Sequence, residues 1–202
     1  MRVDLSVFNA DWIDFESETH TYRDKDGLRL MSVSEVLTAT GVSPKEDYPP
    51  WAADRGRKVH KLTELYDMDD LELDSVDPEL SGYLASWIKL RGDHYDLYDI
   101  VGIEVIVGDP TMRVAGTIDR VLRNRETGLL AVGEIKSGAY KKWHQVQTEL
   151  YLNLLNFRMP MSNERVHYYL DKGGDPPKPR IYEDDNDIGY CAARTARWIK
   201  KL

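Results

Sequence analysis

A glutamate and a lysine stand two residues apart, Glu134 and Lys136, in the otherwise apolar stretch "GLLAVGEIKSG". In an extended strand residues i and i+2 point to one face, so both side chains would emerge together at the edge of a core. The preceding stretch, "MRVAGTIDRVLRN", carries Asp119 among apolar neighbours such as Ile118 and Val121. If "NRETGL" closes a hairpin through a four-residue loop with Asn124 opposite Leu129, Asp119 falls opposite Glu134, with Cβ atoms ~5 Å apart. Two carboxylates facing one another repel, so a cation is needed between them. A hard divalent ion such as Mg²⁺ takes carboxylate oxygens and keeps several waters, which suits the pair. Ile135, turned toward the core, could add its backbone carbonyl. Taken alone, Glu-x-Lys in a strand is an ordinary solvated ion pair and Asp119 an ordinary strand acid; their shared register is what points to a site.

The helix pattern "PPWAADRGRKVHKLTELYDM", which Pro49 and Pro50 can start but not interrupt, puts His60 and Glu64 one turn apart, ~5–6 Å from each other on one side. With Asp119 and Glu134 they would make an oxygen-rich set with one imidazole, which Mn²⁺ tolerates better than Mg²⁺; otherwise they are a local surface pair. Gly56, one turn before His60, either permits another backbone to approach or simply weakens the helix. A second helix, from about Lys142 to Phe157, shows a polar stripe of His144, Gln147 and Tyr151 and an apolar stripe of Val146, Leu150 and Leu154. A polar stripe is usually the wet side. This helix, however, begins a few residues past Lys136, so Gln147 can hydrogen-bond to that lysine or to a substrate. Glu104, in "IVGIEVIVG", is a further candidate ligand alongside Glu64. Arg55, Arg57, Lys141, Lys142 and His144 are candidate contacts for a polyanion.

Around these residues, "HTYRDKDGLRLMSVSEVLTATGVSP" reads as a hairpin turning at Lys25-Asp26-Gly27, then a helix capped near Ser32 or Ser34 that ends at Gly41. "PELSGYLASWIKLRGDHY" has apolar residues at helical spacing. Three β-branched stretches follow, then the helix after Lys142, a fourth strand "RVHYYLDKG", an irregular loop "GGDPPKPR" and a last helix "DIGYCAARTARWIKKL". The expected fold is α/β: a mixed sheet of three antiparallel strands, a helix and a fourth strand, flanked by helices. Length suits one domain over 1–202, with 1–48 as an N-terminal hairpin and helix decoration and 172–202 as a C-terminal loop and helix.

With 42% apolar and 31% charged residues the composition is globular rather than disordered. No run approaches the ~20 apolar residues of a membrane span. The first residues lack the apolar block of a signal peptide, and Cys191 has no second cysteine to pair with, so a reducing, cytoplasmic setting is expected. A net charge of -8 argues superficially against a nucleic-acid partner. The distribution is uneven: from Lys136 onward 12 basic residues face 8 acidic ones, and seven acids without a base run from Asp67 to Glu79. Global charge is therefore a poor guide.

"GTIDRV", then "GEIKSG", then a helix with "QVQTELY", all preceded by a helix with "RGRKVH", resembles the PD-(D/E)XK nuclease superfamily in its RecB-like branch, which includes phage-type exonucleases. "ETHTYRDKDG" and "SVSEVL" also look like openings of phage-encoded members. The resemblance implies a restriction-endonuclease-like core, Asp119 and Glu134 as metal-binding acids, Lys136 as the catalytic lysine, His60 as the upstream histidine, and Gln147 with Tyr151 as the Gln-x-x-x-Tyr helix motif. It further implies Mg²⁺ or Mn²⁺ as cofactor, DNA as substrate, the host cytoplasm if phage-encoded, and a phage single-strand annealing or binding protein as partner. Ile118 stands where the superfamily's proline would, and one cysteine cannot supply the iron-sulfur ligands of some relatives. The expected function is metal-dependent DNA hydrolysis, as an exonuclease in phage-type recombination, replication or DNA processing. The alternatives are an endonuclease, or a nuclease-like fold that binds nucleic acid or protein without cutting. A glycosidase using Asp119 and Glu134 fits poorly, because Lys136 would hold both ionised and spoil the general acid.

Overall fold

The computed structural model describes residues 8–44, 49–93, 97–157, 164–183 and 187–201. It begins with a meander, β1 (Ile13–Glu16), β2 (Thr21–Asp24) and β3 (Arg29–Ser32), each antiparallel to the next. The β2–β3 turn falls where the sequence predicts it. Gly27 takes φ +79°, and Asp24 Oδ1 accepts N–H bonds from Asp26 and Leu28 at 3.0 and 2.8 Å, the turn chemistry of a short acid. β1 is not among the strands the sequence predicts, since four residues are too few for alternation to declare itself.

Ser32 rather than Ser34 caps α1 (Val33–Ala39). Its hydroxyl accepts from Glu35 N at 3.1 Å while Glu35 Oε2 accepts from Ser32 N at 2.8 Å, so two otherwise unpaired amides are satisfied reciprocally. Then come α2 (Pro50–Asp67), with proline at its first position, and α3 (Ser81–Asp93). The strands β4 (Tyr98–Asp109), β5 (Val114–Asn124) and β6 (Leu130–Lys136) are antiparallel neighbours. After α4 (His144–Asn156) the chain returns as β7 (Glu164–Tyr169), parallel to β6 as a crossover requires. A further strand, β8 (Arg180–Glu183), pairs with β7 before α5 (Ile188–Lys200). Pro176, Pro177 and Pro179 make its approach read as loop; as an outer strand it tolerates them.

The strand order is β1-β2-β3-β5-β6-β7-β8, with β4 also paired to β5. This is a mixed α/β arrangement with an open, mostly antiparallel sheet flanked by helices. β4 runs along the whole of β5, from Asp109↔Val114 to Tyr98↔Asn124. The other edge of β5 is divided: β3 pairs in parallel with Val114 and Ala115, and β6 pairs antiparallel with Arg120 to Arg123. Between them, Gly116 to Asp119 lies where two partner strands diverge.

α1, α4 and α5 pack on one face, where Val36, Leu150 and Ala193 join Val105, Ile118 and Val132. α2 and α3 cover the other with Val59, Tyr83 and Trp87 against Leu122, Ile135 and Tyr168. α4 is buried on every side from Val146 to Leu155. Its polar stripe is therefore not a wet face: His144, Gln147 and Tyr151 meet Tyr169, Lys136 and Gly116 of the sheet, while α5 lies against Glu149 and Asn153. Across the sheet, the fully buried Arg120 donates from Nε to Asp67 at 2.7 Å, from NH1 to the Asp119 carbonyl at 2.6 Å, and from NH2 to Thr63 at 3.2 Å. Removing one partner of so buried a pair would strand the other charge at a cost of about 3–5 kcal/mol, so the pair holds α2 and β5 in one register. No helix among the described residues is long and apolar enough to cross a membrane.

Candidate active site

The β5–β6 ladder has the predicted register, Arg120↔Gly133 through Arg123↔Leu130, closed by the Asn124 N to Leu129 O bond of 2.9 Å. One step further the strands begin to part. Asp119 would face Glu134 there, and instead its Oδ2 accepts the amide N–H of Ile135 at 2.7 Å. That amide is the contact Ile135 makes with the site, while its side chain is fully buried. On the opposite edge Ile103 pairs with Arg120 and Val105 with Ile118, which sets Glu104 across from Asp119. Three carboxylates on three adjacent strands thus occupy one row across the sheet. Glu104 sits at φ +49°, a left-handed conformation that costs a non-glycine residue roughly 1–3 kcal/mol and clusters at functional sites.

His60, Glu104 and Asp119 each offer a ligand atom, and these atoms lie within 4.8 Å of one another. His60 Nδ1 is 3.2 Å from Asp119 Oδ1. Glu104 Oε1 and Glu134 Oε2 are buried without a hydrogen-bond partner among the described residues; the Arg120 guanidinium stands 3.7 Å from Glu104 Oε1, too far for a hydrogen bond. Carboxylate oxygens left without hydrogen bonds in a row of acids are what a cation would satisfy, so the donor set fits a metal ion. Glu64 is not in this trio; it pairs with Lys61 at 2.7 Å and its charge adds to those that raise Glu104.

Lys136 Nζ donates to Glu134 Oε1 at 2.7 Å and to Gln147 Oε1 at 2.9 Å, so β6 and α4 fix the ammonium between them. Gln147 Nε2 continues to Tyr151 OH at 3.5 Å. The ring of Tyr151 lies against Gly116, where a Cβ would come within 2.6 Å of its Cε1. A glycine at the point where β3 and β6 diverge is what lets α4 approach so closely. Tyr22, from the meander, joins from the other side and shares a 2.8 Å hydrogen bond with Thr117. Sequence reasoning misses Tyr22 and Thr117, since nothing local ties β2 to β5.

The candidate polyanion contacts divide. Arg55 and Lys141 line a cleft opening on Lys136 and His60. Arg57 pairs with Asp54 at 3.2 Å, and Lys142 is exposed. His144 is largely buried, with its Nδ1 3.0 Å from Tyr169 OH, so it braces α4 against β7, and it also lines this cleft.

The charges are strongly interdependent. Burial, reinforced by Asp119, raises Glu104 from 4.5 to about 8. Burial and Asp119 likewise raise Glu134 to about 7, against the pull of Lys136. Burial opposes the charge on His60, yet Asp119 and Glu134 outweigh it and lift the imidazole from 6.5 to about 9. Burial would raise Asp119 too, but His60, Lys136 and the Ile135 amide hold it below the usual carboxylate range. The consequence for the metal-free protein has a definite sign. Glu104, Glu134 and His60 all bind protons more tightly folded than unfolded, so stability is lost as pH rises, from 4.5 to about 8 for Glu104, from 4.5 to about 7 for Glu134 and from 6.5 to about 9 for His60. Thermal melts in EDTA are expected to show a midpoint that falls as pH is raised from 6 toward 9. Glu104→Gln should flatten that fall, and excess Mn²⁺ should reverse it by binding the deprotonated ligands. A midpoint rising with pH in EDTA would contradict this electrostatic picture.

No protein-family model matches the chain, and no curated protein is similar enough to count as a relative. Among solved structures it is similar to one described as "Putative exonuclease" from Eubacterium rectale, with a TM-score of 0.51 at 11% sequence identity over 84% of this chain and 77% of that one. The structure of SSO0001 matches with a TM-score of 0.38 and 16% identity over 85% of this chain and 75% of that one. At 11% identity the first likeness bears on fold alone, and what it shows is a mixed α/β fold consistent with a nuclease-like core.

Proposed function

We propose that this protein is a divalent-metal-dependent deoxyribonuclease of the PD-(D/E)XK type, in the RecB-like manner, that hydrolyses DNA phosphodiester bonds from ends. The observation that carries the reading is the row of Glu104, Asp119 and Glu134, with His60 against its middle acid, two carboxylate oxygens without hydrogen bonds, and an ammonium fixed at the flank. Glu104, Asp119 and His60 would hold Mg²⁺ or Mn²⁺, with Glu134 Oε2 and the Ile135 carbonyl as further oxygen donors. When bound, such an ion supplies a more acidic water and neutralises phosphate oxygens. Asp119 stays ionised beside His60, Lys136 and the Ile135 amide and so keeps its negative charge for the ion. Lys136 spends two of its three N–H groups on Glu134 and Gln147, which leaves one for negative charge developing on the phosphate. Gln147 and Glu134 keep that ammonium from swinging away.

The test uses linear DNA labelled at the 5′ or the 3′ end, single- and double-stranded, beside closed circles, with Mg²⁺, Mn²⁺ or EDTA. Release of short products from linear DNA only when metal is present is expected, with circles left intact. Retention of DNA without turnover under every metal condition would instead assign a binding module, and cut circles an endonuclease.

A further inference from the structure

Four of the buried side-chain atoms without a hydrogen-bond partner gather around the site. Acceptors, Glu104 Oε1 and Glu134 Oε2, lie in the carboxylate row; two donors, Arg55 Nε and Trp143 Nε1, lack partners among the described residues in the adjoining cleft. This cleft of about 270 Å³ runs between the first half of α2 and the loop joining β6 to α4, and it opens on His60 and Lys136. No carboxylate lines it, although the chain as a whole is acidic; Arg55, Lys136, Lys141 and Trp143 give it an excess of donors. Its chemistry is that of an anion site placed beside a cation site.

The walls are made of small residues. Ala52 and Gly56, with His60, lie at successive i+4 steps along one stripe of α2, and Ser137, Gly138 and Ala139 face them. A Cβ on Gly56 would stand 4.0 Å from Ser137 Oγ, so the two walls nearly meet at the floor. The volume falls just under the roughly 300 Å³ at which pockets begin to hold a drug-sized ligand. One nucleotide unit is of that order, and a base pair with its second strand is not. Beyond the cleft, at the outer end of α2, the Trp51 indole is 62% exposed and the Arg55 guanidinium lies between it and Tyr83, 5.1 and 5.8 Å from the ring centres, in a neighbouring hollow that Asp54, Asp77, Glu79 and Lys58 also line. Nine residues of helix separate Trp51 from His60, about 14 Å along the axis. An exposed indole and a guanidinium at that remove form the surface on which unpaired bases stack.

We propose, on the nuclease reading above, that this cleft admits a single unpaired DNA strand, with phosphate against Arg55 and Lys141 and a base against Trp51. The preferred substrate is then a single-stranded or frayed end, and intact blunt duplex is excluded by the width between α2 and the β6–α4 loop.

The test compares cleavage, with Mn²⁺, of a labelled single-stranded oligonucleotide and a labelled blunt duplex by the full chain and by Ala52→Leu and Gly138→Leu. These variants fill the cleft from opposite walls; Gly138 has open space around it, so its replacement meets nothing. The wild type is expected to cut the single strand at least about tenfold faster, and each variant to lose about tenfold on the single strand, mainly in KM, the worth of one stacked base. Calorimetric Mn²⁺ affinity should be unchanged in both. Equal rates on duplex and single strand, or wild-type rates in both variants, would overturn the cleft assignment while leaving the nuclease reading standing. A wild type that binds Mn²⁺ but cuts neither substrate would remove the nuclease reading, and this inference with it.

Discussion

Asp119→Ala is expected to abolish Mn²⁺ binding and DNA cleavage together while leaving the protein folded. Asp119 is the middle acid of the row, 3.2 Å from His60 and 2.7 Å from the Ile135 amide. Losing an outer partner of a metal ligand costs about 10–100-fold in affinity; losing the central ligand should cost more. The fold should survive because two effects oppose each other. The Ile135 amide loses its acceptor, at about 1–3 kcal/mol. Against this, Asp119 is a principal reason that Glu104 and Glu134 are pushed above their usual range, so both relax toward ordinary carboxylates when it is gone. Calorimetry with Mn²⁺, cleavage of labelled DNA and urea denaturation in EDTA measure the three quantities separately. Wild-type Mn²⁺ affinity in this variant would remove Asp119 from the metal site.

Lys136→Met should separate chemistry from metal binding. The methionine keeps the length of the stem and removes the ammonium that bridges Glu134 and Gln147. Deleting one preorganised donor at a developing oxyanion costs about 10²–10³ in kcat. Mn²⁺ affinity should stay within a few-fold, since a neighbouring positive charge is lost even as Glu134 loses the partner that favours its ionised form. Lys136→Arg is not expected to rescue turnover, because a planar guanidinium cannot take the place of a compact ammonium between those two acceptors. A Lys136→Met protein with wild-type kcat would show that the lysine is only a structural counter-charge to Glu134.

What the sequence makes legible follows from how locally each feature is determined. The Asp119–Glu134 register can be read because Asn124 and Gly128 fix a four-residue loop, and every pair upstream follows from it. The Ser32 cap can be read because its partner, Glu35, is three residues away. The same counting on the turn after Asp109 sets Glu104 opposite Asp119, so its place was available in the sequence; its left-handed backbone was not. The burial of His144, Gln147 and Tyr151 could not be read, since it depends on Tyr169 of β7, Lys136 of β6 and Gly116 of β5 meeting one side of α4. Tyr22 reaches Thr117 across 95 residues, and Arg120 reaches Asp67 across 53, and no periodicity encodes such meetings.

The divided edge of β5 has a further meaning. The acids lie along a seam, and the meander joins its near side by a short ladder at Met31 and Ser32 together with the Tyr22–Thr117 bond. Changes within β1 to β3 can therefore alter what reaches the acids without disturbing the ladder from Arg120 to Arg123 that keeps them aligned. Reactivity and access are in this way assigned to separate stretches of chain, free to vary at different rates.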